Sequence, residues 1–193
     1  MAKDASKDIK RCDWSFSDSL LQEYHDKEWG IPVHDDTKLF EFLILEGAQA
    51  GLSWLTILRR RENYRKAFDI FDIEKISNYK QGKIDQLLED SGIIRNKLKI
   101  ASTIQNAKCA LALIDEFGSL DKYFWSFVNG IPKKNKWRSM SQIPTTTKES
   151  EAMSKDLSKR GFRFVGSTIC YSFMQATGMV NDHKVTCFRY KVV

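Results

Sequence analysis

The chain has 193 residues, 42% of them hydrophobic, enough for one domain or two tightly packed lobes around a core that needs no disulfide staples. The longest apolar runs, such as Phe42 to Leu45, fall far short of the roughly 20 residues of a membrane span, and Met1-Ala2-Lys3-Asp4 has no apolar stretch of the kind a secretory signal carries. A net charge of +6 fits a polyanionic partner as well as it fits plain solubility.

Residues 1–10, rich in Lys, Asp and Ser, read as a disordered tail ahead of one compact helical domain over 11–193. Ser17 or Asp18 can cap a first helix running to about Trp29, with Gly30 and Pro32 beyond it. Asp36 or Thr37 opens a second helix carrying Leu39, Phe40, Leu43 and Ala48, broken by Gly51-Leu52-Ser53. Ser53 opens a third with Leu55, Leu58 and the basic run Arg59-Arg60-Arg61. Ile84 to Ser91, Asn96 to Phe117 and Ser119 to Val128 are further helices, the first two stopped by Gly92 and Gly118. Gly130 to Thr146 reads as a polar loop and the one hinge between lobes. Thr146-x-x-Glu149 has the form of a capping box for a helix ending at Gly161, and Ser167 to Thr177 is the last helix, ended by Gly178. No segment sustains period-2 alternation, so the fold class is all-α.

Leu157 to Thr168 joins two of these helices by a glycine-bounded hairpin, a helix-hairpin-helix. Gly161 permits a left-handed turn, Gly166 permits close backbone approach, and Ser167 and Thr168 open the next helix. The first amides of a helix lack intrahelical partners and bind phosphate, with Lys159, Arg160 and Arg163 supplying charge nearby. An ordinary helical connection with surface lysines has the same local pattern.

Cys12 and His25 lie near one end of the chain and His183 and Cys187 near the other. His183-x3-Cys187 places imidazole and thiolate on one helical face, and two thiolates with two imidazoles form a closed set suited to structural zinc. Such a set would fasten the two chain ends. Core histidines remain the alternative, and His34 is a substitute ligand. The four thiols, Cys109 and Cys170 included, are expected to be reduced, as in a cytoplasmic protein.

Glu46 is followed by Gly47, Ala48, Ala50 and Gly51, small residues that let a ligand approach an acid on an apolar helix. Trp14, Tyr24, Trp29 and Trp54 can surround it with stacking faces, an arrangement suited to a cationic, electron-poor base. A salt-bridged helix glutamate among core aromatics is the plain alternative. Leu52, at the helix break, is either core or a wedge into a DNA stack.

The blocks Arg11-Cys12-x-Trp14, Tyr24-His25-Asp26-x-Glu28-Trp29-Gly30, Leu45-Glu46-Gly47-x-Gln49-Ala50-Gly51-Leu52-Ser53-Trp54, Gly92-Ile93-Ile94-Arg95, Trp125 to Asn129 and Lys159 to His183 closely resemble the bacterial DNA-3-methyladenine glycosylase I family from about Arg11 to about Cys187. The resemblance implies zinc on Cys12, His25, His183 and Cys187. It also implies a flipped base contacted by Glu46 and hydrogen-bonded by Tyr24, a pocket shaped by Trp54 and Trp14, and a DNA-inserting loop at Gly51 and Leu52. The expected activity is hydrolysis of the N-glycosidic bond of 3-methyladenine in double-stranded alkylated DNA by a monomer, without strand cleavage, releasing the free base. Asp182, beside His183, reads as structural. A non-catalytic zinc-stabilised DNA-binding module is the rival, and an RNA-binding protein a third reading. The first has no need of Glu46, and the second predicts tighter binding to RNA than to damaged duplex.

Overall fold

The computed structural model describes residues 9–193, so most of the expected tail lies outside the described residues. Ten α-helices run in chain order among them: α1 (Ser19–Lys27), α2 (Asp36–Gln49), α3 (Trp54–Leu58), α4 (Arg61–Ala67), α5 (Ile73–Ser77), α6 (Gln81–Glu89), α7 (Lys97–Phe117), α8 (Leu120–Ser126), α9 (Lys148–Lys159) and α10 (Ser167–Ala176). Short 3-10 turns at Asp13–Ser17, Asp69–Phe71, Met140–Gln142 and Phe188–Lys191 complete the helical content.

The caps explain the boundaries. Side chains of Asp18, Asp35, Ser53, Asn96 and Ser119 accept hydrogen bonds from first-turn amides of α1, α2, α3, α7 and α8. The second helix is capped by Asp35, not by Asp36 or Thr37. Asp36 is engaged elsewhere: its carboxylate accepts from the backbone N–H of Leu120 (3.0 Å) and of Asp121 (2.9 Å) at the start of α8. The expected capping box at Thr146 and Glu149 forms one residue later, between Thr147 and Ser150, and Glu149 instead pairs with Lys133. Arg61 does not extend the third helix. It opens α4, where Glu41 and Glu28 bury its guanidinium.

Residues 39–48 of α2 are all buried, and this helix packs against α10, α3, α8 and α7. It is the central post of the core. The expected hinge over 130–146 is tied down. Lys133–Lys134 pairs in parallel with Val180–Asn181, a two-residue ladder that an all-α reading omits. Asn135 N–H then donates to Asn181 O, and Val185 N–H to Trp137 O. The connection is thereby bound to the C-terminal segment.

Candidate base-binding cleft and metal cluster

A cleft of about 750 Å³ opens beside the C-terminal half of α2, within the usual range for ligand sites. It brings together Glu46, Tyr24, Trp54, Trp14 and Trp29, the five residues that sequence places at a base pocket. Tyr24 comes from α1, Glu46 from α2, Trp54 from α3 and Trp14 from the turn before α1. Tyr24 and Trp54 meet at 5.4 Å between ring centroids, and Trp14 stands edge-on to Trp29 at 5.1 Å.

Three polar groups in this cleft lack protein partners. The buried Tyr24 hydroxyl and Trp54 Nε1–H make no hydrogen bond. Glu46 is only 5% exposed, and burial, with no compensating contact, pushes its carboxyl up to about 8. Burial and the neighbouring Glu46 also raise Tyr24, so its hydroxyl stays a donor. Buried polar atoms are normally paired, and leaving one unpaired costs roughly 1–3 kcal/mol. Three together, walled by aromatics, describe a site completed by a flat, polar-edged ligand.

The rest of the lining was not anticipated as part of the base pocket, although Thr168 was expected at DNA. Thr168, Tyr171, Ser172 and Gln175 of α10 share one helical face and line the cleft, as do Met140, Ile143 and Pro144 of the connection expected to be a hinge. The spacing of those α10 residues was the available signal. Asp182 is absent from the cleft lining. It is buried and accepts from Asn135 Nδ2 (2.7 Å), Trp137 Nε1 (2.7 Å), Tyr171 OH (2.6 Å) and Gln175 Nε2 (2.7 Å), which fits its structural reading. With its oxygens so engaged, it holds the connection and α10 in place.

Cys12, His25, His183 and Cys187 converge as a buried four-ligand set, with ligand atoms all within 4.8 Å of one another. Cys12 Sγ lies 3.7 Å from His183 Nδ1, and Cys187 Sγ lies 3.4 Å from His25 Nε2 and 3.6 Å from His183 Nδ1. A tetrahedral ion with sulfur at about 2.3 Å and nitrogen at about 2.0 Å needs sulfur–nitrogen edges of about 3.5 Å. The donor set therefore fits a metal ion. The outer ring nitrogens are also engaged: His25 Nδ1 with Asp26 (2.8 Å) and His183 Nε2 with Trp29 O (3.1 Å). Such partners orient metal-bound imidazoles. A bidentate Arg11 contact fixes Asp26 in turn. His34, the substitute ligand, lies elsewhere, paired with Asp121 and stacked on Trp125.

The residues expected at DNA lie at or near the surface, with Thr168 on the cleft itself. α9 and α10 form a hairpin in which Gly161 adopts φ +91°. Gly166 precedes α10 with no side-chain cap and open space around it, Arg163 and Thr168 are exposed, and Ser167 is half-buried. Gly51 has φ +77°, and Leu52 beside it is 40% exposed. Gly47 lets α2 pass the hairpin: a Cβ there would lie 3.2 Å from Phe164 Cβ.

The family model for methyladenine glycosylases matches residues 14–190. The chain belongs to the methyladenine glycosylase family. This family member is 49% identical to DNA-3-methyladenine glycosylase 1 of Escherichia coli (strain K12) over 94% of its own length and 97% of the relative's. It is 46% identical to DNA-3-methyladenine glycosylase of Haemophilus influenzae over 92% of its length and 96% of the relative's. Its fold is similar to a crystal structure of 3-methyladenine DNA glycosylase I, with a TM-score of 0.90, 50% identity and coverage of 93% and 98% of the two chains. A single-residue variant of such an enzyme, crystallised in complex with 3-methyladenine, matches with a TM-score of 0.90 and 34% identity over 93% and 97%.

Proposed function

We propose that this protein excises 3-methyladenine from alkylated double-stranded DNA by hydrolysing the N-glycosidic bond, leaving the strand uncut. The observation that carries this reading is Glu46: a buried carboxyl with no protein partner, in an aromatic cleft that also holds the unpaired donors Tyr24 OH and Trp54 Nε1.

Methylation at N3 makes the adenine of the nucleotide cationic. When the bond to the sugar breaks, its electron pair passes to the ring, the base leaves neutral, and water adds to the anomeric carbon and releases a proton to solvent. The protein contributes recognition and exclusion. Trp14, Trp29 and Trp54 offer faces and edges to a flipped base. Glu46 gives up its proton to solvent when a cation arrives and then only accepts hydrogen bonds. It pairs with the N6 amine of adenine and is repelled by the O6 of guanine, so 7-methylguanine, although cationic, is a poor substrate.

The hairpin grips the DNA backbone through the first amides of α10 at Gly166, Ser167 and Thr168, with Arg163 nearby, and Gly51 and Leu52 enter the stack. The four-ligand set holds one zinc in a structural role, supplying a tetrahedral tether and no chemistry at the base. The protein acts as a monomer in the cytoplasm, where Cys109 and Cys170 stay reduced and Cys12 and Cys187 serve as thiolate ligands.

The test is chromatography of bases released from methylated duplex DNA. The expected result is free 3-methyladenine with little 7-methylguanine and intact strands. Tight DNA binding with no base released would instead support a non-catalytic binding module.

A further inference from the structure

One face of α7 reaches two segments that are far apart in sequence. Lys99 Nζ donates to Ala48 O (2.7 Å) and Ala50 O (2.8 Å), where α2 ends and the Gly51-Leu52 loop begins. Seven residues on, Asn106 clasps the hairpin: its Nδ2 donates to Arg163 O (2.9 Å), and its Oδ1 accepts from Arg163 N–H (2.8 Å). Seven residues are two helical turns, so both side chains lie on one face about 10.5 Å apart along the axis. Asn106 is buried, and Lys99 is half-buried with an ammonium placed against the negative end of α2. All four backbone groups they satisfy lie outside regular hydrogen-bond ladders or at a helix end. The next turn of α7 abuts the hairpin as well, where Cys109 Sγ contacts Arg160 O at 3.3 Å.

We propose that Lys99 and Asn106 are positioning residues, and that α7 is the spacer fixing the distance between the hairpin that holds the DNA backbone and the loop that enters the duplex. This rests on the function proposed above. The loop displaces a nucleotide only if it stands at a set distance from the phosphate grip, and misplacement by about 1 Å far from the chemistry can cost about 100-fold in rate. A mobile loop would still leave Glu46 and Tyr24 in place, because they sit on α2 and α1 upstream of it.

The experiment compares kcat/KM on one 3-methyladenine placed in a paired duplex and in a single strand, with binding of free 3-methyladenine as the check on the pocket. Lys99→Met should lose about ten-fold or more on the duplex and under about three-fold on the single strand, with free-base binding retained. Lys99→Arg, which keeps two donors, should recover most of the duplex activity. Asn106→Asp keeps the acceptor for Arg163 N–H, loses the donor, and should show the same duplex-selective loss. Equal losses on both substrates, loss of free-base binding, or unchanged duplex activity would each overturn the proposal. Wild-type protein that releases no base from either substrate would overturn the proposed function itself.

Discussion

Glu41 and Glu46 sit five residues apart on α2, each 5% exposed, and differ in what surrounds them. Glu41 has Arg61 and Arg65 within ion-pair distance, whereas Glu46 has burial alone. A carboxyl raised from 4.5 to about 8 means the folded state holds a proton that the unfolded chain releases between those values. Stability from this group is therefore full below about pH 4.5 and is lost as pH rises through about 8. Glu46→Gln removes that dependence. In thermal melts the variant should gain Tm relative to wild type as pH rises through this window, and a constant difference between the two would contradict the assignment. The small residues after Glu46 were legible in sequence, as was its surplus of nearby aromatics. Its lack of a partner was not, because that depends on where α1, α3 and α10 bring their side chains.

At the scale of elements, sequence reads best where the chemistry is local. Asp18, Ser53 and Asn96 cap their helices from within, and Gly118 ends α7 in the left-handed conformation, so those boundaries could be placed. Asp36 misled because its carboxylate serves α8, 84 and 85 residues away. The stretch holding α4 and α5 went unread for a different reason. Asp69, Ile70 and Phe71 all have positive φ (48°, 57° and 57°), a left-handed turn that Asp tolerates but that Ile and Phe do not advertise. Burial of Phe71 against Phe68 and the hydrogen bond from Tyr79 to Asp69 hold it in place, while Ile70 is left 64% exposed. Ile70→Asn relieves the strain at little cost in packing. It should raise stability by about 1 kcal/mol, or Tm by about 2–4 °C, without affecting base release. A fall in Tm would show that Ile70 packs more tightly than its exposure indicates.

Across the whole molecule, the two ends of the described chain meet at the four-ligand set, and Trp29 links that set to the cleft by packing edge-on to His183 at 4.6 Å. Here the candidate ligands were legible as residue types, but only the fold could bring positions 12 and 187 together. Protein purified without chelator should contain one zinc per chain. Cys12→Ser should lower Tm by about 10 °C or more, because a lost metal ligand leaves buried polar groups unpaired. Metal-free protein with an unchanged Tm would remove the tether. The central claim, that an enzyme built on this fold recognises a cationic base through an acid it keeps protonated while empty, is tested most directly by the pH dependence of kcat/KM on methylated duplex DNA, which reports ionisations of the free enzyme. Wild type should show activity rising with pH to a plateau above about 8, and Glu46→Gln should be slower and lack that limb. The same pH profile in both proteins would contradict the account.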